Sequence, residues 1–119
     1  MSVSPTTHDA RDLRIRTDGE IRAVLVGGIR RAERGMVVYV LPMGGPTRAA
    51  FVCGRKVGGA VQRNRARRIL REAWRALADR VRSGYDVVFV ARPEIGGAKT
   101  EEMAEQMARA LMGLGVIET

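Results

Sequence analysis

Residues 55–75 read Arg55-Lys56-Val57-Gly58-Gly59-Ala60-Val61-Gln62-Arg63-Asn64-Arg65-Ala66-Arg67-Arg68-Ile69-Leu70-Arg71-Glu72-Ala73-Trp74-Arg75. This stretch holds eight basic side chains and one acid, Glu72, a balance of +7. The whole 119-residue chain carries +8, so the rest, with 13 basic against 12 acidic side chains, is close to neutral. Binding driven by charge is therefore concentrated here. At about 100° per residue, a helix over 62–81 puts Ala66, Ile69, Leu70, Ala73, Trp74, Leu77 and Val81 on one face. Asn64, Arg67, Arg68, Arg71 and Arg75 fall on the opposite face. One helix thus offers an apolar stripe to a core and an arginine stripe to a partner. Trp74 lies on the apolar side and is read as a core anchor.

Working outward, Ser83 and Gly84 stop that helix, Gly84 being a suitable C′ residue. Residues 85–91 (Tyr-Asp-Val-Val-Phe-Val-Ala) read as a strand closed by Arg92-Pro93. After a loop at Gly96 and Gly97, Thr100, Glu101 and Glu102 open a last helix. Its apolar positions Met103, Met107, Ala110 and Leu111 recur at helical spacing until Gly113 and Gly115. Upstream, residues 57–61 form a glycine-bearing link, and 48–54 read as a strand in which Cys53 is a small buried hydrophobe. Residues 36–41 form another apolar strand, ended by Pro42, and the glycines and proline of 43–47 make the turn between the two. That short connection predicts an antiparallel hairpin. Before it, Ile21, Val24, Leu25 and Ile29 share helical spacing, with Asp18 as N-cap, and Arg22, Arg30 and Arg31 on other faces. Gly27 and Gly28 end or kink this helix. Residues 1–12 are polar and form a loose tail that carries His8, the only histidine, read as solvent-exposed. The order helix, two strands, basic helix, strand, helix predicts an α+β two-layer sandwich in a single domain over 13–119.

Composition narrows the function. An apolar content of 45% supports a packed core, and a pI near 11.1 calls for a polyanionic partner, nucleic acid or an anionic membrane surface. Only Lys56 and Lys99 are lysines; the other cations are arginines, whose planar fork suits phosphates and base edges. With Cys53 as the only cysteine, neither an internal disulfide nor a cysteine zinc cluster is possible. No secretory signal and no apolar run of roughly 18 residues is visible, so a cytoplasmic location is expected. The chain has no Walker A loop, no G-x-S-x-G and no H-E-x-x-H. Glu101, Glu102 and Glu105 read as a solvated helix face. Protein-borne catalysis is therefore not expected, and if the chain belongs to an enzyme, something else does the chemistry.

The run from Lys56 to Glu72, with Arg63-Asn64-Arg65 at its centre, resembles the signature of the bacterial ribonuclease P protein component, roughly K-x-G-N-A-V-x-R-N-R-x-K-R-x-x-R-E. The likeness extends from about residue 13 to 116. It implies a sandwich like the second domain of ribosomal protein S5, with a left-handed βαβ crossover. It also implies an endoribonuclease whose hydrolytic chemistry resides in a partner RNA with Mg²⁺. The protein would bind that RNA and the 5′ leader of precursor tRNA, assist 5′ maturation of tRNA, and be a monomer without RNA. Arg55, Lys56, Arg63, Asn64, Arg65, Arg67, Arg68 and Arg71 fall on the RNA-contacting positions, and Ile21, Leu25, Tyr39 and Val52 on the leader cleft. No catalytic or metal-ligating residue is assigned to the protein. The chain departs from the pattern in having Gly59 for the usual Asn, Gly54 for a common Ser, and Ile21 and Leu25 for a Phe-x-x-x-Phe pair. The alternatives are a ribosomal or other structured-RNA-binding protein, a DNA-binding regulator and a membrane-surface binder. Strands on both sides of the basic helix disfavour the regulator. The apolar face, needed for the core, disfavours the membrane.

Overall fold

A computed structural model describes residues 13–118; the predicted tail 1–12 and His8 lie outside the described residues. Helix α1 spans Asp18–Gly27, strands β1 Ile29–Ala32, β2 Met36–Pro42 and β3 Arg48–Val52, helix α2 Ala60–Leu77, strand β4 Tyr85–Ala91 and helix α3 Thr100–Gly113. The α+β sandwich is as predicted, with one mixed four-stranded sheet in the order β1-β2-β4-β3.

Three local expectations change. The cap of α1 is Thr17, not Asp18: its hydroxyl accepts from the Glu20 N–H at 3.1 Å, while the Glu20 carboxylate accepts from the Thr17 N–H at 3.3 Å. Ile29 does not continue α1. A Cβ on Gly28 would meet the Val24 and Val40 carbonyl oxygens at 2.6 Å, so glycine alone fits this junction, and the chain turns into β1. All four β1 residues are exposed, as befits an edge strand, and Arg30 and Arg31 discourage further pairing. Helix α2 begins two residues earlier than predicted and gives way after Leu77 to a 3-10 turn, Ala78–Arg80, which leaves Val81 off the helix.

The predicted hairpin does not form. β2 and β3 run in opposite directions, but β4 lies between them, antiparallel to β2 and parallel to β3. The five residues 43–47 pass over the start of β4. The Met43 and Gly44 N–H groups donate to the Gly84 carbonyl at 2.8 and 3.2 Å, and Gly44 and Gly45 take φ of 76° and 74°. The Thr47 hydroxyl donates to the Arg82 carbonyl and accepts from the Tyr85 N–H. Two inter-strand spacings, about 10 Å, are within reach of this loop. β4 takes the centre because its run Val87, Val88, Phe89 is buried on both faces.

Helices α2 and α3 cover one face of the sheet. There Trp74 meets Phe89 at 5.4 Å between ring centroids, Phe89 stacks on Phe51 at 5.6 Å, and Met36, Leu70, Met103, Met107 and Leu111 fill the space around them. Every residue predicted for the apolar stripe of α2 from Ala66 to Leu77 is buried. Cys53 is buried too, and burial pushes its thiol pKa up. The Glu102 carboxylate accepts from the Lys99 N–H at 2.8 Å and fixes the start of α3. No described helix is long and apolar enough to cross a membrane.

Candidate nucleic-acid interface

Two surfaces follow from this architecture, and a cavity joins them. The first is the outer face of α2. Arg55 and Lys56 sit exposed on a 3-10 turn, Arg55–Val57, just before the helix. Gly58 then takes φ 141°, and Gly59 is the N-cap with no side-chain hydrogen bond to the first turn. The usual asparagine would serve there as a cap, so its absence has a local meaning: the first α2 turn keeps its N–H groups uncapped by a side chain.

The arginines of α2 divide into three sets. Arg65 reaches sideways, its guanidinium donating to the Ala98 carbonyl at 2.9 Å, while Glu72 accepts from the Thr100 hydroxyl. This flank therefore ties α2 to the start of α3. Arg63 donates to the Gly58 carbonyl at 3.0 Å and Arg67 to the Asn64 side-chain oxygen at 3.0 Å. Both lie near enough to Cys53 to counter the rise in its thiol pKa, which places them on the β3 flank. Arg68 stands exposed on the crest, and half-buried Arg71 has an Nε without a hydrogen-bond partner among the described residues. Arg14 adds to the β3 flank by lying over the Phe51 ring at 5.5 Å, with its backbone beside Ala49.

The second surface is the sheet face away from α2. Its registers define three transverse rows, Arg48–Asp86–Leu41, Ala50–Val88–Tyr39–Arg30 and Val52–Val90–Val37–Ala32. Helix α1 lies over the first and over the Ala50–Val88 part of the second, leaving Tyr39 half-buried and Arg30 exposed. Glu20 pairs with Arg48 at 3.3 Å, Arg48 grips the buried Asp86 with two hydrogen bonds at 2.9 and 2.6 Å, and Val24 is buried beside Val88 and Ala50. Desolvation pushes the Glu20 carboxyl up, but the Arg48 hydrogen bond and charge, with Thr17, outweigh it and hold it below the usual range. Glu20 therefore stays ionised beside Arg48 to a lower pH than a free glutamate would. On the helical wheel Ile21 and Leu25 flank Val24 on the side away from Glu20, toward the third row. That row is uncovered: Val52, Val90 and Val37 are half-buried and Ala32 is exposed.

Of the sequence-predicted cleft residues, Ile21, Tyr39 and Val52 pack against the Val24–Val88 cluster, Tyr39 and Val52 on the sheet floor, while Leu25 stays exposed one turn beyond Ile21 on α1. Val37 and Val90 complete the floor. The sequence reading missed both, although alternation with the core positions Val38 and Phe89 marks them. At the β3 end of the third row a cavity of about 620 Å³ is lined by Val52, Val90, Arg55, Lys56, Arg92 and Pro93. It connects the open row to the start of α2. Among the described residues no group of three or more His, Cys, Asp or Glu could hold a metal ion.

Comparison with known proteins adds to this geometry. A family model described as Ribonuclease P matches residues 10–115. The ribonuclease P protein component of Symbiobacterium thermophilum is 44% identical over 103 residues, covering 78% of this chain and 89% of that protein. Its counterpart from Caldanaerobacter subterraneus subsp. tengcongensis is 39% identical over 93 residues, covering 77% and 80%. The solved RNase P protein of Staphylococcus aureus superposes with a TM-score of 0.73 at 22% identity, covering 88% of this chain and 97% of that one. The Thermotoga maritima RNase P protein gives a TM-score of 0.73 at 23% identity, covering 81% and 92%. At those identities the two structures speak for the fold.

Proposed function

The chain belongs to the ribonuclease P protein family and is a protein subunit of that endoribonuclease; on this premise we propose how its two surfaces divide the work. The outer face of α2, with the turn before it and the flank at Arg65, binds RNA through Arg55, Lys56, Arg63, Asn64, Arg65, Arg67, Arg68 and Arg71, and Arg55 and Lys56 lie where the catalytic RNA and the leader meet. The open sheet row, walled by Ile21 and Leu25 and floored by Tyr39 and Val52, holds the 5′ leader of precursor tRNA. The observation that carries this reading is the crest of α2, where Arg68 stands exposed and the only acid in the stretch, Glu72, is turned to Thr100. Crowded guanidiniums repel one another unless phosphates neutralise them, and each neutralisation releases a counterion.

The protein's part in cleavage is to bind and orient. A leader lying across the valines is partly desolvated and fixed in direction, while Arg55 and Lys56 at the cavity meet its phosphates where it approaches the catalytic RNA. Mg²⁺ held by the partner RNA would supply the Lewis-acid chemistry of phosphodiester hydrolysis. Without RNA the protein is a monomer. All the relatives named above are ribonuclease P proteins, so the reading as a ribosomal or other structured-RNA-binding protein is not favoured.

Reconstitution tests this function. Added to a bacterial catalytic RNA at low Mg²⁺, the protein should stimulate cleavage of precursor tRNA at the mature 5′ end. An RNA that cleaves equally well without the protein would overturn the reading.

A further inference from the structure

The third row does not stop at the cavity. It crosses the whole sheet, from Val52 on β3 through Val90 and Val37 to Ala32 on β1, three inter-strand steps or about 14 Å. That is the length of roughly four stacked nucleotides at 3.4 Å each. Cationic side chains stand near both ends. Arg55 and Lys56 line the β3 end, and on β1 Arg30 lies two residues from Ala32, in the neighbouring row, directly opposite Tyr39 in the antiparallel register and so on the same face.

Arg30 and its neighbour Arg31 contrast sharply. Arg31 alternates to the other face, where its guanidinium packs so closely on Gly113 of α3 that a Cβ at that position would lie 2.6 Å from Nη1. Arg31 is thereby occupied at the C-terminal end of a helix, where a cation is favoured. Arg30 is exposed on an edge strand, across from half-buried Tyr39 in the strand register, and no carboxylate pairs with it among the described residues. An apolar floor with one aromatic side chain and a cation at each end is complementary to an extended polyanion that carries flat bases.

We propose that single-stranded RNA on the open row runs on past Tyr39 to β1, where Arg30 binds a phosphate at the far end of the track. This rests on the leader reading above and extends it: β1 would be the distal limit of leader recognition. The chain has Ile21 and Leu25 where aromatic stacking would be expected, so a second charge contact offers an alternative source of hold on the leader. Arg30 is then a positioning residue, selective for leaders long enough to reach it.

The test uses the reconstituted ribonucleoprotein and precursor tRNAs whose leaders range from shorter than the sheet row to longer than it. With long leaders, Arg30→Ala should raise KM several-fold at unchanged kcat and reduce the steepness of the salt dependence by about one counterion. Short leaders should show no such change, and Arg30→Lys should restore most of the loss. Melting of the isolated variant reports on folding, which an exposed edge residue should not disturb. An Arg30→Ala effect that is absent, or equal at every leader length, overturns the proposal. A parent protein that shows no leader-length dependence at all overturns the leader reading itself.

Discussion

The two faces of one sheet have opposite fates. Against α2 and α3, twenty-one described side chains are buried in a single apolar cluster; on the other face the buried apolar cluster is Ile15, Val24, Ala50 and Val88, beside buried Asp86. The same strands supply both, by alternation. One face is sealed around Trp74 and Phe89, while the other is held half-open by a ten-residue helix clasped through Arg48. Apolar surface left uncovered in a stable domain is available to a ligand. Stability is thus concentrated on one side of the sheet and recognition on the other, with the arginine crest of α2 continuing recognition around the β3 end.

That contrast can be broken or sharpened. The largest effect belongs to the sealed face: Trp74→Ala should destabilise the domain by about 3–5 kcal/mol in chemical denaturation. A negligible change would show that the sealed core is not where stability resides. Next is the clasp on the half-open face. Arg48→Ala leaves Asp86 buried without its cation and should cost about 3 kcal/mol. Hydrogen exchange should then accelerate in α1 more than in α2; equal acceleration would mean that the two faces are not separable.

A smaller effect is expected at the crest. Arg68→Ala should weaken binding to the catalytic RNA several-fold and lower the salt slope by about one, with melting unchanged. Identical slopes for variant and parent would remove Arg68 from the phosphate contacts. The smallest concerns the start of α2. Gly59 has extended backbone, φ −78° and ψ −170°, which asparagine adopts freely, although a new Cβ would press the flexible Gln62 side chain at 3.2 Å. Gly59→Asn should supply the missing cap and raise stability by about 0.3 kcal/mol. A lower melting temperature would show that Gln62 cannot yield.

The site was legible in unequal parts. The arginine stripe could be read directly because charge and helical period are properties of consecutive residues, and one stretch carries both. Trp74 was assigned to the core for the same reason. The roles of the individual arginines could not be read: Arg65 and Arg68 both fall on RNA-contacting positions of the family pattern, yet Arg65 donates to the carbonyl of Ala98, more than thirty positions away. β1 was mistaken for helix because Ile29 continues the period of α1, and the clash at Gly28 involves Val40, a residue of another strand.

What the sequence by itself determined is the helix with two faces, the strand segments, and the family that the Arg63-Asn64-Arg65 core and its surroundings mark. Those signals are local, written in periodicity and in composition over a few turns. Tertiary structure alone decided that β4 enters between β2 and β3. A short loop fixes only the relative direction of two strands, and adjacency goes to whichever strand can be buried on both faces. That insertion sets the register in which Val52, Val90, Val37 and Ala32 form one row, with Arg30 opposite Tyr39. Residues from four strands become one surface only when the sheet closes.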